Sequence, residues 1–235
     1  MPVPSESGAA RAAAGGAGPV VVELFTSQGC SSCPPADAYL GRLARREGVV
    51  ALAYHVDYWD YIGWRDPFAD AAYTARQKDY RQSLGNRTLY TPQMVIDGTV
   101  DAVGSDSRRV DALIQRRRAS DRHTVALRAG LVNGEIRVEI DDVGMPGPAE
   151  VTAVAFDAYH LTEIRRGENA GLRLEDFNVV RAIQRIGEFH GPGRTISVSA
   201  DPWADVKGGI AILVQSIDNR TIWGATTVAV GGSAT

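Results

Sequence analysis

Apolar and polar residues follow two rhythms along this chain, and the change comes near its middle. Pro19 to Thr26, "PVVVELFT", is a short β-branched run with the length of one buried strand. After two cysteines, Pro34 and Pro35 sit where a helix first turn tolerates proline, and "ADAYLGRLARRE" continues with apolar residues at helical spacing. "VVALAYHV", Val49 to Val56, predicts a second buried strand. A long helix is predicted from Pro67 to Leu84, ended by Gly85. "QMVIDG" and "TVDAVG" predict strands around a turn at Asp97-Gly98, and a last helix is predicted from Ser107 to Arg118. In the order β-α-β-α-β-β-α, strands joined through helices are parallel and the hairpin adds an antiparallel edge. That is the layout of a thioredoxin-like domain, assigned to residues 19–120.

From Asp121 onward helical periodicity nearly vanishes. "RHTVALRAG", "GEIRVEID", "AEVTAVAFDAY", "RTISVSA", "GGIAILVQS" and "RTIWGATTVAV" read as strands separated by Gly, Pro, Asn and Asp. Repeated short strands with turn signals predict a β-sandwich over 121–235, with the boundary near Ala119 to Arg122. Residues 1–18 read as a flexible tail: they are small and weakly polar, with no charged segment leading into an apolar one. The expected fold class is thus an α/β thioredoxin-like domain, a central mixed sheet with flanking helices, followed by an all-β, sandwich-like domain.

Composition narrows the function classes. A chain of 235 residues with 44% hydrophobic and 23% charged residues is ordinary globular protein. A net charge of −3 leaves no electrostatic footprint for nucleic acid or an anionic membrane. The basic run Arg116-Arg117-Arg118 closes a predicted helix, where cations complement the helix C-terminus. No apolar run reaches the roughly 20 residues of a membrane span.

Both cysteines lie in "FTSQGCSSCPPAD" as Cys30 and Cys33, with Ser31 and Ser32 between them. A disulfide closing so small a loop removes little entropy from the unfolded chain and makes a poor staple. Its position, after a buried strand and at the start of a helix, is where free N–H groups and the helix dipole stabilise a thiolate. Cys30, nearer the loop, is expected to be the more exposed, attacking sulfur, and Cys33 the resolving one. The hydroxyls of Ser31 and Ser32 are placed to donate to the Cys30 thiolate, and both residues are assigned to substrate binding. As a zinc site the pair is half complete, and His55, His123, His160 and His190 have no paired ligand spacing. Copper(I) needs only two thiolates, so a copper- or zinc-holding pair stays open as an alternative. Met1, Met94 and Met145 make no methionine-rich copper site.

Three other stretches bear on the dithiol. In "LYTPQMVIDG", Thr91-Pro92 precedes a strand about where a thioredoxin-like fold sets a cis-proline loop against its cysteines, so both are assigned to substrate binding; the alternative is an ordinary trans proline at a strand start. Glu23 interrupts the first strand, where a half-buried carboxylate would accept the proton of Cys33; the alternative is a solvated side chain. "YHVDYWDYIGWRDPF" is rich in aromatics, and its Tyr58 and Trp59 are assigned to a wall of the substrate groove, with a loop folded on its own aromatics as the alternative. His55 reads as a core or hydrogen-bonded histidine rather than a base.

"ELFTSQGCSSCPPAD", "HVDYWDYIGWRDPF", "YTPQMVIDG" and "VGSDS" together resemble the secreted bacterial thioredoxin-like family known as domain of unknown function 1223. "RRGENAG" and "NVVR" resemble its second half, and the likeness spans Val20 to about Val230. The resemblance implies a thioredoxin-like domain and a periplasmic or secreted location. In "RRGENAG", Arg165, Arg166, Glu168 and Asn169 read first as a polar glycine turn and second as an anion or partner site.

The function expected is thiol–disulfide exchange on a protein disulfide or a small thiol, catalysed by Cys30 and Cys33. The redox-active disulfide would serve in place of a cofactor. A metal module using the same thiolates, and a non-catalytic interaction protein with a permanent disulfide, are the alternatives.

Overall fold

The computed structural model describes residues 18–120, 125–141, 144 and 146–230. The tail expected at the N-terminus lies outside them except for Gly18, as do Asp121 and Arg122 of the expected boundary, His123, Met1 and Met145. The first half forms β1 (Val20–Thr26), α1 (Pro34–Leu43), β2 (Val49–His55), a short 3-10 turn (Asp60–Ile62), α2 (Ala71–Ser83), β3 (Gln93–Ile96), β4 (Val100–Val103) and α3 (Ser107–Ala119). The second half forms β5 (Leu127–Val132), β6 (Glu135–Ile140), β7 (Ala149–Glu163), β8 (Arg173–Phe189), β9 (Arg194–Ser199), β10 (Gly208–Ser216) and β11 (Ile222–Ala229).

Local chemistry accounts for the ends of these elements. The Asp70 side chain accepts from the Ala72 N–H, so α2 begins there and not at Pro67. Beyond its C-terminus Gly85 turns left-handed at φ 69. The β3–β4 turn has Asp97 at φ 47 and Gly98 at φ 66, with Thr99 N–H donating to the Ile96 carbonyl at 3.0 Å, a tight hairpin of the type that matches strand twist.

The strands pair as an eight-stranded sheet, in the order β11-β10-β7-β8-β2-β1-β3-β4, and a three-stranded sheet, β5-β6-β9. That order overturns the expected helix-flanked thioredoxin-like domain followed by a β-sandwich. Strands from both halves share the large sheet, and the molecule is mostly β. The joint is at β2, where β8 runs parallel with Val179 opposite Ala53. An open β2 edge would expose unpaired backbone groups, and β8 covers part of it at this one pairing. Asn178, left-handed at φ 46, reinforces the joint by donating its side-chain amide to the Ala51 carbonyl at 2.8 Å. The sequence reading missed β8 because its charged residues break the alternation that marks a half-buried strand.

The two faces of the sheet are buried differently. Val20, Val22 and Leu24 of β1 pack with Ala36, Leu40 and Leu43 of α1 and Val110 and Ile114 of α3. Val21 and Phe25, pointing the other way, pack with Tyr73 and Tyr80 of α2 and with Leu213 of β10. Farther along, Val151, Ala153 and Ile212 meet Ile136, Val138 and Ile196 of the small sheet.

Candidate functional site

The cysteine turn connects β1 to α1. Its bend is closed by Cys30 N–H donating to the Ser27 carbonyl at 3.1 Å and Cys33 N–H to the Cys30 carbonyl at 3.2 Å. Cys33 is the residue at the α1 N-cap, with Pro34 and Pro35 in the first turn. Cys30 and Cys33 form a disulfide, their Cα atoms 5.4 Å apart. The Cys30 sulfur meets two hydroxyls, Thr91 Oγ1 and Ser32 Oγ, each at 3.3 Å. Among the described residues Cys33 has no such contact.

Cys30 is 1% exposed and Cys33 0%, so the expected exposure of Cys30 does not hold. Ser31 and Ser32 occupy the surface in its place. The cover continues through the Trp59 indole, which donates to Thr91 Oγ1 at 2.8 Å. The Thr91–Pro92 peptide is cis. Pro92 is buried and its carbonyl accepts from Gly104 N–H at 2.9 Å, while among the described residues the Thr91 carbonyl meets only the Ser32 hydroxyl, at 3.5 Å. Tyr58 is half-buried, donating to Gln77 Oε1 at 3.1 Å, and its ring lies 6.1 Å from that of Trp59. Cys30, Cys33, Ser32, Thr91 and Trp59 are thus joined directly and Tyr58 borders them. Ser31 forms part of the rim.

Glu23 lies elsewhere. On the alternating strand it shares the parity of Val21 and Phe25 and faces α2, not α1. It is fully buried, and Arg76 donates to both its oxygens, Nε to Oε1 at 2.8 Å and Nη2 to Oε2 at 3.1 Å; the Tyr80 hydroxyl also donates to Oε2. Burial pushes its carboxyl up, but the Arg76 guanidinium outweighs that and holds it below the ordinary range. Arg76 Nη1 also reaches Gln215 Oε1 at 3.1 Å, tying β10 to the pair.

A second polar cluster, which the sequence did not flag as a unit, lies beside the cysteine turn. Asp37 stands on α1 four residues after Cys33, and its N–H donates to the Cys33 carbonyl at 3.1 Å. Thr26 Oγ1 donates to Asp37 Oδ1 at 2.7 Å. His55 Nδ1 donates to Asp66 Oδ2 at 2.7 Å, and His55 Nε2, with no hydrogen-bond partner among the described residues, is 4.0 Å from Asp176 Oδ1. Gln28 binds the set together: its N–H donates to Asp66 at 2.7 Å and its amide to Asp176 at 2.7 Å and Thr162 at 3.0 Å. Its side-chain oxygen Oε1 accepts from the Trp64 indole at 3.1 Å.

Burial and crowding shift all these groups. Burial, then the Asp176 carboxylate, push Asp37 up to about 8 against the pull of His55. Burial pushes His55 down, but Asp66, Asp176 and Asp37 lift it to about 9. Burial raises Asp176, partly offset by His55 and Gln28. Asp66 goes the other way: burial is outweighed by His55 and by backbone N–H donors, and its carboxyl is lowered. Such opposed shifts arise both in buried structural ion-pair networks and in sites that handle protons.

The second half reaches this site through β7, β8 and the loop between them. The Asn169 amide donates to the Gln28 carbonyl at 2.9 Å and the Cys30 carbonyl at 3.1 Å. Gly167 and Gly171 are left-handed at φ 77 and φ 85, as the glycine-turn reading expects, and through Asn169 "RRGENAG" also clamps the cysteine turn. In the aromatic loop Trp59 and Trp64 are bonded into the site, while Tyr61 is 82% exposed. Among the described residues no three His, Cys, Asp or Glu side chains are grouped to hold a metal ion. Nor is any helix there long and apolar enough to cross a membrane.

Residues 21–215 match the model of a family described as "Protein of unknown function (DUF1223)". The chain is similar to a protein from Agrobacterium tumefaciens of known crystal structure, with 31% identity over 94% of this chain and 98% of that one, at a TM-score of 0.82. It is also similar to HBP35 of Porphyromonas gingivalis, at 14% identity, a TM-score of 0.59 and coverage of 94% and 78%, a likeness of fold alone. No curated protein matches the chain.

Proposed function

The chain belongs to the family of proteins of unknown function DUF1223, and we propose that its Cys30–Cys33 pair carries out thiol–disulfide exchange on a protein disulfide or a small thiol. The observation that carries this reading is the asymmetry of the two sulfurs. Both sit at a helix N-terminus, but among the described residues only Cys30 has hydroxyls, from Thr91 and Ser32, aimed at its sulfur. Hydrogen bonds to a thiolate and the helix dipole both favour the ionised form, which is the nucleophile. Cys30 is accordingly the attacking sulfur and Cys33 the resolving one.

Enclosure of the disulfide sets a condition on exchange. The Ser32 hydroxyl and the Trp59 indole must move aside before a substrate sulfur can approach Cys30 in line with the bond it breaks. The Thr91 carbonyl, bonded only weakly to Ser32, is then free to accept from a substrate backbone N–H. A periplasmic or secreted setting, implied by the resemblance, would keep the pair oxidised until a reductant or substrate thiol meets it.

Exchange between the reduced protein and a small disulfide tests the reading. Cys30→Ser is expected to abolish it, and Cys33→Ser to stop at a mixed disulfide on Cys30. Turnover by Cys30→Ser equal to the unaltered protein would refute the assignment.

A further inference from the structure

We propose that Asn169, which the second half of the chain brings to the cysteine turn, is a positioning residue for disulfide closure: it keeps the turn bent while the two sulfurs are unbonded, so that Cys33 stays within reach of Cys30. This rests on the exchange reading above. Asn169 is 3% exposed, and its Nδ2 reaches two backbone carbonyls of the turn, that of Gln28 at 2.9 Å and that of Cys30 at 3.1 Å. A side-chain amide nitrogen has two N–H donors, so both are spent on the turn. The Cys30 carbonyl also accepts from Cys33 N–H at 3.2 Å, the bond that closes the bend. One amide therefore grips the same oxygen that holds Cys33 against Cys30.

The grip is backed on both sides. Behind Asn169, the loop is closed at its base by Ile164 N–H donating to the Leu172 carbonyl at 2.9 Å and Gly171 N–H to the Ile164 carbonyl at 2.8 Å. Gly167 lies so close to the aromatic loop that a Cβ there would stand 3.1 Å from Trp64 Cβ. On the turn itself every polar group of Gln28 is held from outside: its N–H by Asp66, its carbonyl by Asn169, its side-chain oxygen by Trp64, and its side-chain nitrogen by Thr162 of β7 and Asp176 of β8. The strands that lead into and out of the Asn169 loop thus also anchor the turn it grips.

Closure is the step that needs this anchoring. The Cys30 thiolate first attacks a disulfide R–S–S–R, forming Cys30–S–S–R and releasing one thiolate to be protonated by solvent. Cys33 Sγ then attacks Cys30 Sγ, the bond from Cys30 to the substrate sulfur breaks, and the second thiolate leaves with the electron pair and takes up the proton that Cys33 gives up. The substrate is reduced by two electrons and the protein oxidised by two. In the disulfide the S–S bond holds the bend, but in the mixed disulfide only hydrogen bonds do, and they set the effective concentration of Cys33 at Cys30. The contacts to the Cys30 sulfur come from Thr91 and Ser32, so the first attack does not draw on Asn169.

The test mixes the reduced protein with an aromatic disulfide whose thiol is coloured, so that attack by Cys30 and closure by Cys33 appear as successive phases. Asn169→Ala is expected to leave attack unaltered and slow closure about tenfold, the effect of losing one to two hydrogen bonds. With reopening unchanged, the same tenfold makes the reduction potential less negative by about 30 mV. Asn169→Asp keeps the shape but turns a carboxylate toward two carbonyls; it is expected to close as slowly at neutral pH and to recover toward the unaltered rate at the same pH as acid restores a donor. Unchanged closure and potential in Asn169→Ala would overturn the clamp and leave the exchange reading standing, as would an equal slowing of attack and closure. If neither variant folds, amide exchange of the unaltered reduced protein decides: the Cys33 N–H is expected to stay protected, and exchange at the free-peptide rate would overturn the clamp. No coloured thiol from the unaltered reduced protein would overturn the exchange reading and the clamp with it.

Discussion

Replacing Arg76 with Met leaves Glu23 buried without its counter-ion, and the consequences can be worked through from the contacts. The substitution removes two bonds to the Glu23 oxygens, one to Gln215 and one to the Tyr80 hydroxyl, from a site with no solvent exposure at Glu23. Breaking a buried pair by deleting one partner costs about 3–5 kcal/mol at neutral pH. The pH dependence carries the more specific signature. In the unaltered protein the folded Glu23 carboxyl is lowered, so its stabilisation is present above the ordinary carboxyl range and is lost as pH falls through the folded value. In Arg76→Met only burial and the tyrosines act, and the folded carboxyl is raised. Its penalty then grows as pH rises from the unfolded value toward the raised folded one, by about 1.4 kcal/mol per unit, and fades in acid. Urea unfolding of the oxidised protein at several pH values measures this. Glu23→Gln with Arg76→Met is expected to recover much of the loss. A cost below about 1 kcal/mol, or one independent of pH, would refute the reasoning. Folded Arg76→Met should also close its disulfide at the unaltered rate, because Glu23 faces α2 rather than the cysteine helix.

Further expectations concern the cover, Asp37 and the joint between the halves. Trp59→Ala removes a bond worth about 1 kcal/mol that holds Thr91 over Cys30, so alkylation of the reduced protein should quicken about fivefold; an unchanged rate would mean that Trp59 does not gate the sulfur. Asp37, raised to about 8, contributes stability that is full below its unfolded value near 4 and is lost as pH rises through 8. Asp37→Asn should therefore flatten the fall in melting temperature between those limits, and an equally steep fall would contradict the assignment. Gly98→Ala places a Cβ against the Arg220 carbonyl at a left-handed φ of 66, and should cost about 1–3 kcal/mol in chemical denaturation; a neutral result would argue against the close packing of the two hairpins.

What was legible in the sequence followed from short-range patterns. The β-branched run before the cysteines, the prolines after them and the Asp97-Gly98 turn each express a local backbone preference, and each was read within a few residues of its observed position. The β8 strand was not legible, because Arg173, Glu175, Arg181 and Arg185 make it look like a solvated segment, and its partner β2 lies more than a hundred residues away. Missing it gave two separate folds where one sheet forms. The same distance hid the site's second half: Asn169 and Asp176 have meaning only once β8 is set beside β2. Asp37 was nearer to hand, since a carboxyl four residues after a helix-capping cysteine shares its face, but Glu23 drew attention as the polar residue in an apolar strand.

The most direct test of a redox-active Cys30–Cys33 pair is its reduction potential, measured by equilibrating the protein with thiol–disulfide buffers. A working dithiol is expected between about −270 and −120 mV, the span of characterised exchange proteins. A value below about −300 mV would mark a permanent structural bridge and contradict the account.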